Sequence, residues 1–182
     1  MIRWTYVRLT NLLCMKGLVI VGTEVGSVYI YGGGYQNNIT LAAPLEITHI
    51  CCLREDKILV SFRDNSLVIY SLPTLLITSE LDAKWMHSRA GEITSICVEE
   101  FSDRNYTYIG TSAGFIFVLD TSGATFRISD YMITPKDAGV SADMIISQIE
   151  ISPRVSLHSA APIHMSKVCA FYLLLLAIPC NE

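Results

Sequence analysis

The sequence predicts an all-β protein assembled from copies of one strand–turn–strand unit, and three observations carry that prediction. The stretch Gly17–Gly32, GLVIVGTEVGSVYIYG, joins two apolar, strand-forming runs across a glycine-marked link. The same plan returns in Lys57–Ser71 (KILVSFRDNSLVIYS) and in Tyr106–Asp120 (YTYIGTSAGFIFVLD). A second element, ITHICCL from Ile47 and ITSICVE from Ile93, precedes two of these hairpins at a similar interval. Self-similarity at a near-fixed spacing is the mark of a repeat architecture.

Within each hairpin, Gly22, Ser61 and Gly110 align at one turn position, and Gly26, Asn65 and Gly114 at a second. Thr23 and Thr111 agree as well. The second position is expected to need a positive φ, which Gly and Asn tolerate. After the turn, Val28 and Ile30, Leu67 and Ile69, and Ile116 and Val118 stand two apart, on one face of a strand. Before it, Leu18–Val21 and Ile58–Val60 are apolar without alternation, as in a strand covered on both sides. Ile47, Ile50 and Cys51 correspond to Ile93, Ile96 and Cys97, so both cysteines are expected as small buried strand residues. A weaker third copy, IISQIEISP, begins at Ile145. Gly32–Asn38 and Ser79–Glu92 are expected as loops between outer strands.

Short strands in groups that recur every forty-odd residues match the blade of a β-propeller. The expected architecture is a partial propeller over residues 1–153, with blades at about 5–45, 46–92 and 93–144 and a fourth starting at 145. Residues 154–182 are set apart as a divergent apolar tail. Three blades and a start do not close a ring, so aggregation, self-association or dependence on a partner chain is expected.

Composition narrows the function classes. Of 182 residues, 51% are apolar and 16% charged, which excludes general disorder. A net charge of −4 excludes a general nucleic-acid binder, which needs a basic face. Cys14, Cys51, Cys52, Cys97, Cys169 and Cys180 form no C-x-x-C pair and are expected as reduced, buried thiols of a cytosolic protein. The first residues are interrupted by Thr10, Asn11 and Lys16 and are not read as an export signal, so the sequons at Asn38 and Asn105 carry no meaning. The run Val168–Ile178 is shorter than the roughly 20 residues a membrane-spanning helix needs.

Candidate chemistry is sparse. Gly22 and Gly26 invite a phosphate-loop reading, but a strand rather than a helix follows and the lysine is missing. His49 is expected as an exposed strand residue, since its counterpart is Ser95. His158, His164 and Cys169 match no zinc spacing. Asp64 and Asp120 lie in or beside hairpins, where Asp commonly serves turns. No nucleophile–base pair is supported. Trp85, between Lys84 and Arg89 in a long loop, has two readings: an interface anchor, or packing against the adjacent blade. No catalytic, cofactor-binding or metal-binding residue is assigned, and no cofactor is expected.

The repeats resemble degenerate WD40 repeats: the tryptophan position holds Tyr31, Tyr70 and Leu119, and Asp120 alone keeps the aspartate. Their order is similar to the N-terminal propeller of the lethal giant larvae/tomosyn family. The resemblance rests on Val21–Gly32, Lys57–Leu72, Ile93–Asp120 and the SDYMI segment Ser129–Ile133, and covers about residues 12–153. It implies a non-enzymatic scaffold, cytoplasmic or peripheral at the plasma membrane or vesicles. Such a scaffold binds syntaxin-type SNAREs, and in some members Rab GTPases or myosin II, in exocytosis and cell polarity. The alternative is a generic WD-repeat adaptor of another trafficking or signalling complex.

Overall fold

The computed structural model describes residues 8–15, 17–40, 45–54, 56–72, 74–100, 104–123, 125–137, 144–151 and 173–179. Three four-stranded antiparallel sheets follow one another along the chain. The first holds β1 (Leu9–Met15), β2 (Leu18–Thr23), β3 (Ser27–Gly32) and β4 (Tyr35–Thr40). In the second are β5 (Ile47–Arg54), β6 (Lys57–Phe62), β7 (Leu67–Ser71) and β8 (Leu76–Leu81), and a 3-10 turn at Ala83–Trp85 follows it. The third comprises β9 (Ile93–Glu100), β10 (Asn105–Thr111), β11 (Ile116–Asp120) and β12 (Arg127–Ile133). A fourth sheet pairs β13 (Met144–Ile151) with β14 (Leu173–Pro179). Strands are paired in sequence order within each sheet, and β1 packs on β5, β5 on β9 and β9 on β13. This is a partial propeller, with first strands stacked side by side and no helix longer than one turn among the described residues.

The repeated hairpin forms as the sequence predicts. Gly26, Asn65 and Gly114 have φ of 75°, 69° and 80°. The Thr23 hydroxyl accepts from the Ser27 amide at 2.9 Å, and Thr111 does the same for Phe115 at 3.2 Å, which explains why the two threonines agree. Gly22, Ser61 and Gly110, in contrast, are not turn residues; each is paired within its sheet, opposite Val28, Leu67 and Ile116. Gly22 is small for a packing reason. A Cβ there would lie 2.8 Å from Ile47 Cγ2 and 2.9 Å from Ile50 Cδ1 of the next blade.

The post-turn residues face the following blade. Ile20, Val28 and Ile30 pack against Ile47, Ile50, Val60 and Tyr70 of the second sheet. Leu59, Leu67 and Ile69 pack in the same way on Ile93, Ile109, Phe117 and Leu119 of the third. Tyr108, Ile116 and Val118 then meet Ile149 of β13. Each sheet thus has a leading face, toward its predecessor, and a trailing face, toward its successor. Both faces of β6 are buried, which is why Ile58–Val60 is apolar without alternation. Gly32–Asn38 is not a loop: Gly33 and Gly34, at φ 57° and 79°, make a tight turn, and β4 begins at Tyr35. The segment from Ser79 is likewise shorter as a loop than expected, because Ser79–Leu81 completes β8.

Candidate functional site

The polar residues of the described chain are used between and along blades. Aligning the first strands places Asn11, His49 and Ser95 at one position, and each bridges to the next first strand. Asn11 donates to the Thr48 carbonyl at 3.2 Å and accepts from the Ile50 amide at 3.1 Å. His49 Nε2 lies 3.3 Å from the Thr94 carbonyl, and Ser95 Oγ accepts from the Ile149 amide at 3.0 Å. His49 is therefore a half-buried bridge and not the exposed strand residue its sequence position suggests. A carbonyl accepts only, so Nε2 carries the proton and Nδ1 accepts from Ser61 Oγ at 3.1 Å. Burial outweighs the Thr94 contact and holds the ring below its ordinary pKa of 6.5, as a neutral group. Thr48 Oγ1, 2.8 Å from Ser61 Oγ, completes this network. In the first blade Gly22 replaces the serine, and Thr10 Oγ1 is buried there without a partner.

Asn65 joins the second blade to the third. Its Nδ2 donates to the Gly91 carbonyl at 3.1 Å, its Oδ1 accepts from the Ile93 amide at 3.0 Å, and its carbonyl accepts from Trp85 Nε1 at 2.8 Å. Trp85 lies edge-on to Phe117, with centroids 5.3 Å apart, among the core residues between the two blades. Of its two readings, packing against the adjacent blade holds. A further clamp runs from Asn105 Nδ2 to the Leu53 carbonyl at 2.9 Å. Asn105 is 1% exposed, so this sequon offers no free amide in the folded chain.

Along the turn end of the sheets runs a row of alternating charges. Arg8 pairs with Glu24 at 3.3 Å and with Glu46 at 3.1 Å, and Arg63 lies 3.8 Å from both Glu46 and Glu92. Exposed pairs of this kind stabilise by about 0–1 kcal/mol each, so the row shapes a surface more than it holds the fold. Asp64 and Asp120 serve turns, accepting from the Ser66 and Ser122 amides at 3.0 and 2.9 Å. Those bonds, to Ser122's hydroxyl and amide, hold the Asp120 carboxyl below its ordinary pKa.

The cysteines differ from expectation in part. Cys14 is exposed, whereas Cys51, Cys52 and Cys97 are half-buried, and none of these four is in a disulfide. Burial, with Cys97 and Cys52 nearby, pushes the Cys51 thiol up to about 12. No group of three or more His, Cys, Asp or Glu is placed to hold a metal among the described residues. His158, His164 and Cys169 lie outside those residues.

Among the described residues, one sheet face exposes apolar side chains. The leading face of the first blade carries Leu9 and Leu12 where the second blade buries Ile47 and Ile50 and the third buries Ile93 and half-buries Ile96. Leu9 is 63% and Leu12 61% exposed, and Tyr31, where Tyr70 and Leu119 are buried, is 44% exposed. Tyr29 and Tyr31 stack on this side at 6.4 Å. Sequence reasoning named Tyr31 only as a repeat position and did not single out Leu9 or Leu12; the signal was the apolar pattern of the repeat carried into the first blade.

Comparison with solved structures bears on the architecture. The computationally designed Ika4 protein matches with a TM-score of 0.58 at 15% identity, over 84% of this chain and 85% of that one. The C-terminal WD40 domain of Sif2 matches with a TM-score of 0.52 at 14% identity, over 78% of this chain and 39% of that one. A chain of a mitotic checkpoint complex matches with a TM-score of 0.57 at 11% identity, over 78% and 43%. The fold is a WD40-type propeller arc. The chain spans under half the length of the last two, and at these identities the likeness extends to the fold alone. No family model and no curated protein matches the chain. No helix among the described residues is long and apolar enough to cross a membrane.

Proposed function

We propose that this chain is a protein-interaction scaffold of the lethal giant larvae/tomosyn kind, binding syntaxin-type SNAREs in exocytosis and cell polarity. The observation that carries the reading is the ordered set of repeats, Val21–Gly32, Lys57–Leu72 and Ile93–Asp120, continued by Ser129–Ile133. The polar side chains support binding over catalysis, because Asn11, His49, Asn65, Asp64 and Asp120 are committed to bridges and turns. Residues 1–153 are the propeller unit in this proposal, 154–182 a divergent tail, and the location is cytoplasmic or peripheral at the plasma membrane or vesicles. Rab GTPases and myosin II are secondary candidates. The test is retention of purified syntaxin-type SNARE on immobilised full chain. Capture that survives physiological salt supports the proposal, and no retention of syntaxin, Rab or myosin overturns it. The second reading, a WD-repeat adaptor of another complex, draws support from the likeness to a chain of a mitotic checkpoint complex.

A further inference from the structure

We propose that the loop of residues 82–92, between the second and third blades, is a docking element for an acidic segment of a partner protein, with Lys84, His87 and Arg89 as its contact residues. The inference rests on this loop and holds for either scaffold reading, so a failure to retain syntaxin leaves it standing. Residues 83–91 read AKWMHSRAG, with two cations, a histidine and no carboxylate, in a protein of net charge −4. Lys84, His87, Ser88 and Arg89 are exposed. Met86 and Ala90 are buried, and Trp85 packs against the core between the two blades. The apolar residues of the loop anchor it inward and the basic ones face solvent.

The backbone of this loop is held at both ends. Asp82 caps the 3-10 turn, its carboxylate accepting from the Lys84 amide at 2.9 Å. At the other end Asn65 Nδ2 donates to the Gly91 carbonyl at 3.1 Å, and Ser112 Oγ accepts from the Glu92 amide at 2.9 Å. Between them the Ala90 amide donates to the His87 carbonyl at 2.9 Å, and the Arg89 amide to His87 Nδ1 at 3.1 Å. With Nδ1 accepting, Nε2 carries the ring proton and can donate to an incoming oxygen. A loop fixed beforehand loses little conformational freedom on binding.

Charge selects the partner. Along the neighbouring rim the arginines are answered from within the chain, Arg8 by Glu24 and Glu46, and Arg63 by Glu46 and Glu92. Lys84 and Arg89 form no ion pair among the described residues. Both are complementary to carboxylates, and a guanidinium takes a carboxylate in a two-pronged pair. The two positions lie at most about 17 Å apart along the chain, so an acidic stretch of roughly six extended residues reaches both. A membrane surface is a poorer match. Adhesion to anionic lipid takes about 4–8 basic residues, and the aromatic side chain of this loop, Trp85, is committed to the core.

The experiment is fluorescence anisotropy of a labelled hexaglutamate peptide titrated with the full chain, beside a hexaglutamine peptide and vesicles of phosphatidylserine. The wild type is expected to bind hexaglutamate and not hexaglutamine, and to weaken as added salt shortens the Debye length from about 10 Å toward 3 Å. The double variant Lys84→Glu with Arg89→Glu is expected to lose affinity by about tenfold or more, with an unchanged circular dichroism spectrum. Arg54→Glu, at an exposed cation on the far end of the second blade, is expected to bind as the wild type does. Carbodiimide coupling of hexaglutamate to the wild type, mapped by peptide mass spectrometry, is expected to join it to Lys84, and decides the case should the double variant not fold. A wild type that does not bind hexaglutamate overturns the proposal. So does a folded double variant that binds as tightly as the wild type, or coupling confined to other lysines. Binding to the vesicles without binding to the peptide also overturns it, and assigns the loop to a lipid surface.

Discussion

Replacing Asn65 separates two roles that a single residue combines. Its backbone sits at φ 69°, in the left-handed region where the equivalent positions use glycine. Its side chain holds the Gly91 carbonyl and the Ile93 amide, fixing the path from the second blade into the third. Asn65→Gly keeps the backbone conformation and removes both side-chain bonds. Each bond is worth about 0.5–1.5 kcal/mol, and a stranded amide at buried Ile93 pushes the cost toward the upper end. The expected loss is about 2–3 kcal/mol. Asn65→Ala removes the same bonds and adds a left-handed Cβ, for about 1–2 kcal/mol more. Urea unfolding of both variants and the wild type, with equal m-values, reads the differences directly. The reasoning fails if Asn65→Gly matches the wild type, or if Asn65→Ala is no less stable than Asn65→Gly.

The remaining expectations test the turn, the blade contact, the buried ring and the thiols. Gly114→Val should cost more than Ser112→Val, because Gly114 has φ 80° and a β-branched residue is penalised there. The gap is narrowed by the Ser112 hydroxyl, which accepts from the Glu92 amide at 2.9 Å, and equal midpoints in thermal melts would contradict the assigned turn. Gly22→Ala should destabilise by about 1–3 kcal/mol through crowding of Ile47 and Ile50, and a neutral result in the same melts would deny the close blade approach. His49 titrates near its ordinary 6.5 when unfolded and lower in the fold. The unfolded chain therefore binds more protons as pH drops through that value, and stability is lost toward acid; His49→Gln should flatten the slope of midpoint against pH below 6.5. Cys51, with a thiol pushed to about 12, should resist alkylation at pH near 8 until denaturant is added; labelling in the native state would refute that burial.

What was legible in the sequence was what the covered faces impose. Val28, Ile30, Leu67, Ile69, Ile116 and Val118 alternate because each trailing face meets another sheet, and the positive-φ site admits only Gly or Asn. The outer strands were harder to read because little packs on them. Leu76 and Ile77 of β8 are exposed, and β4 reads YQNNIT, so neither shows the periodicity of a core strand. His49 was misplaced for a different reason. Its repeat partners, Asn11 and Ser95, share no chemistry with it beyond hydrogen bonding, and aligning residue types hides a position conserved in role across the three blades.

The bridging position and the charged row suggest how a degenerate repeat keeps a regular stack. Apolar contact between blades is non-directional and tolerates sliding of one sheet on the next. A bond from Asn11 to the Thr48 carbonyl, and from His49 to the equivalent Thr94 carbonyl, fixes the same offset at successive interfaces. Amide, imidazole and hydroxyl groups can each make such a bond, so side-chain identity drifts while the offset stays. A similar logic applies at the hairpin ends, where Glu24, Arg63 and Ser112 each donate a backbone amide to Arg8, Glu46 and Glu92 respectively. There the backbone bond holds the register and the side chains are released to form the alternating charges of the rim. The apolar residues then set that the sheets stack, and the polar ones set where.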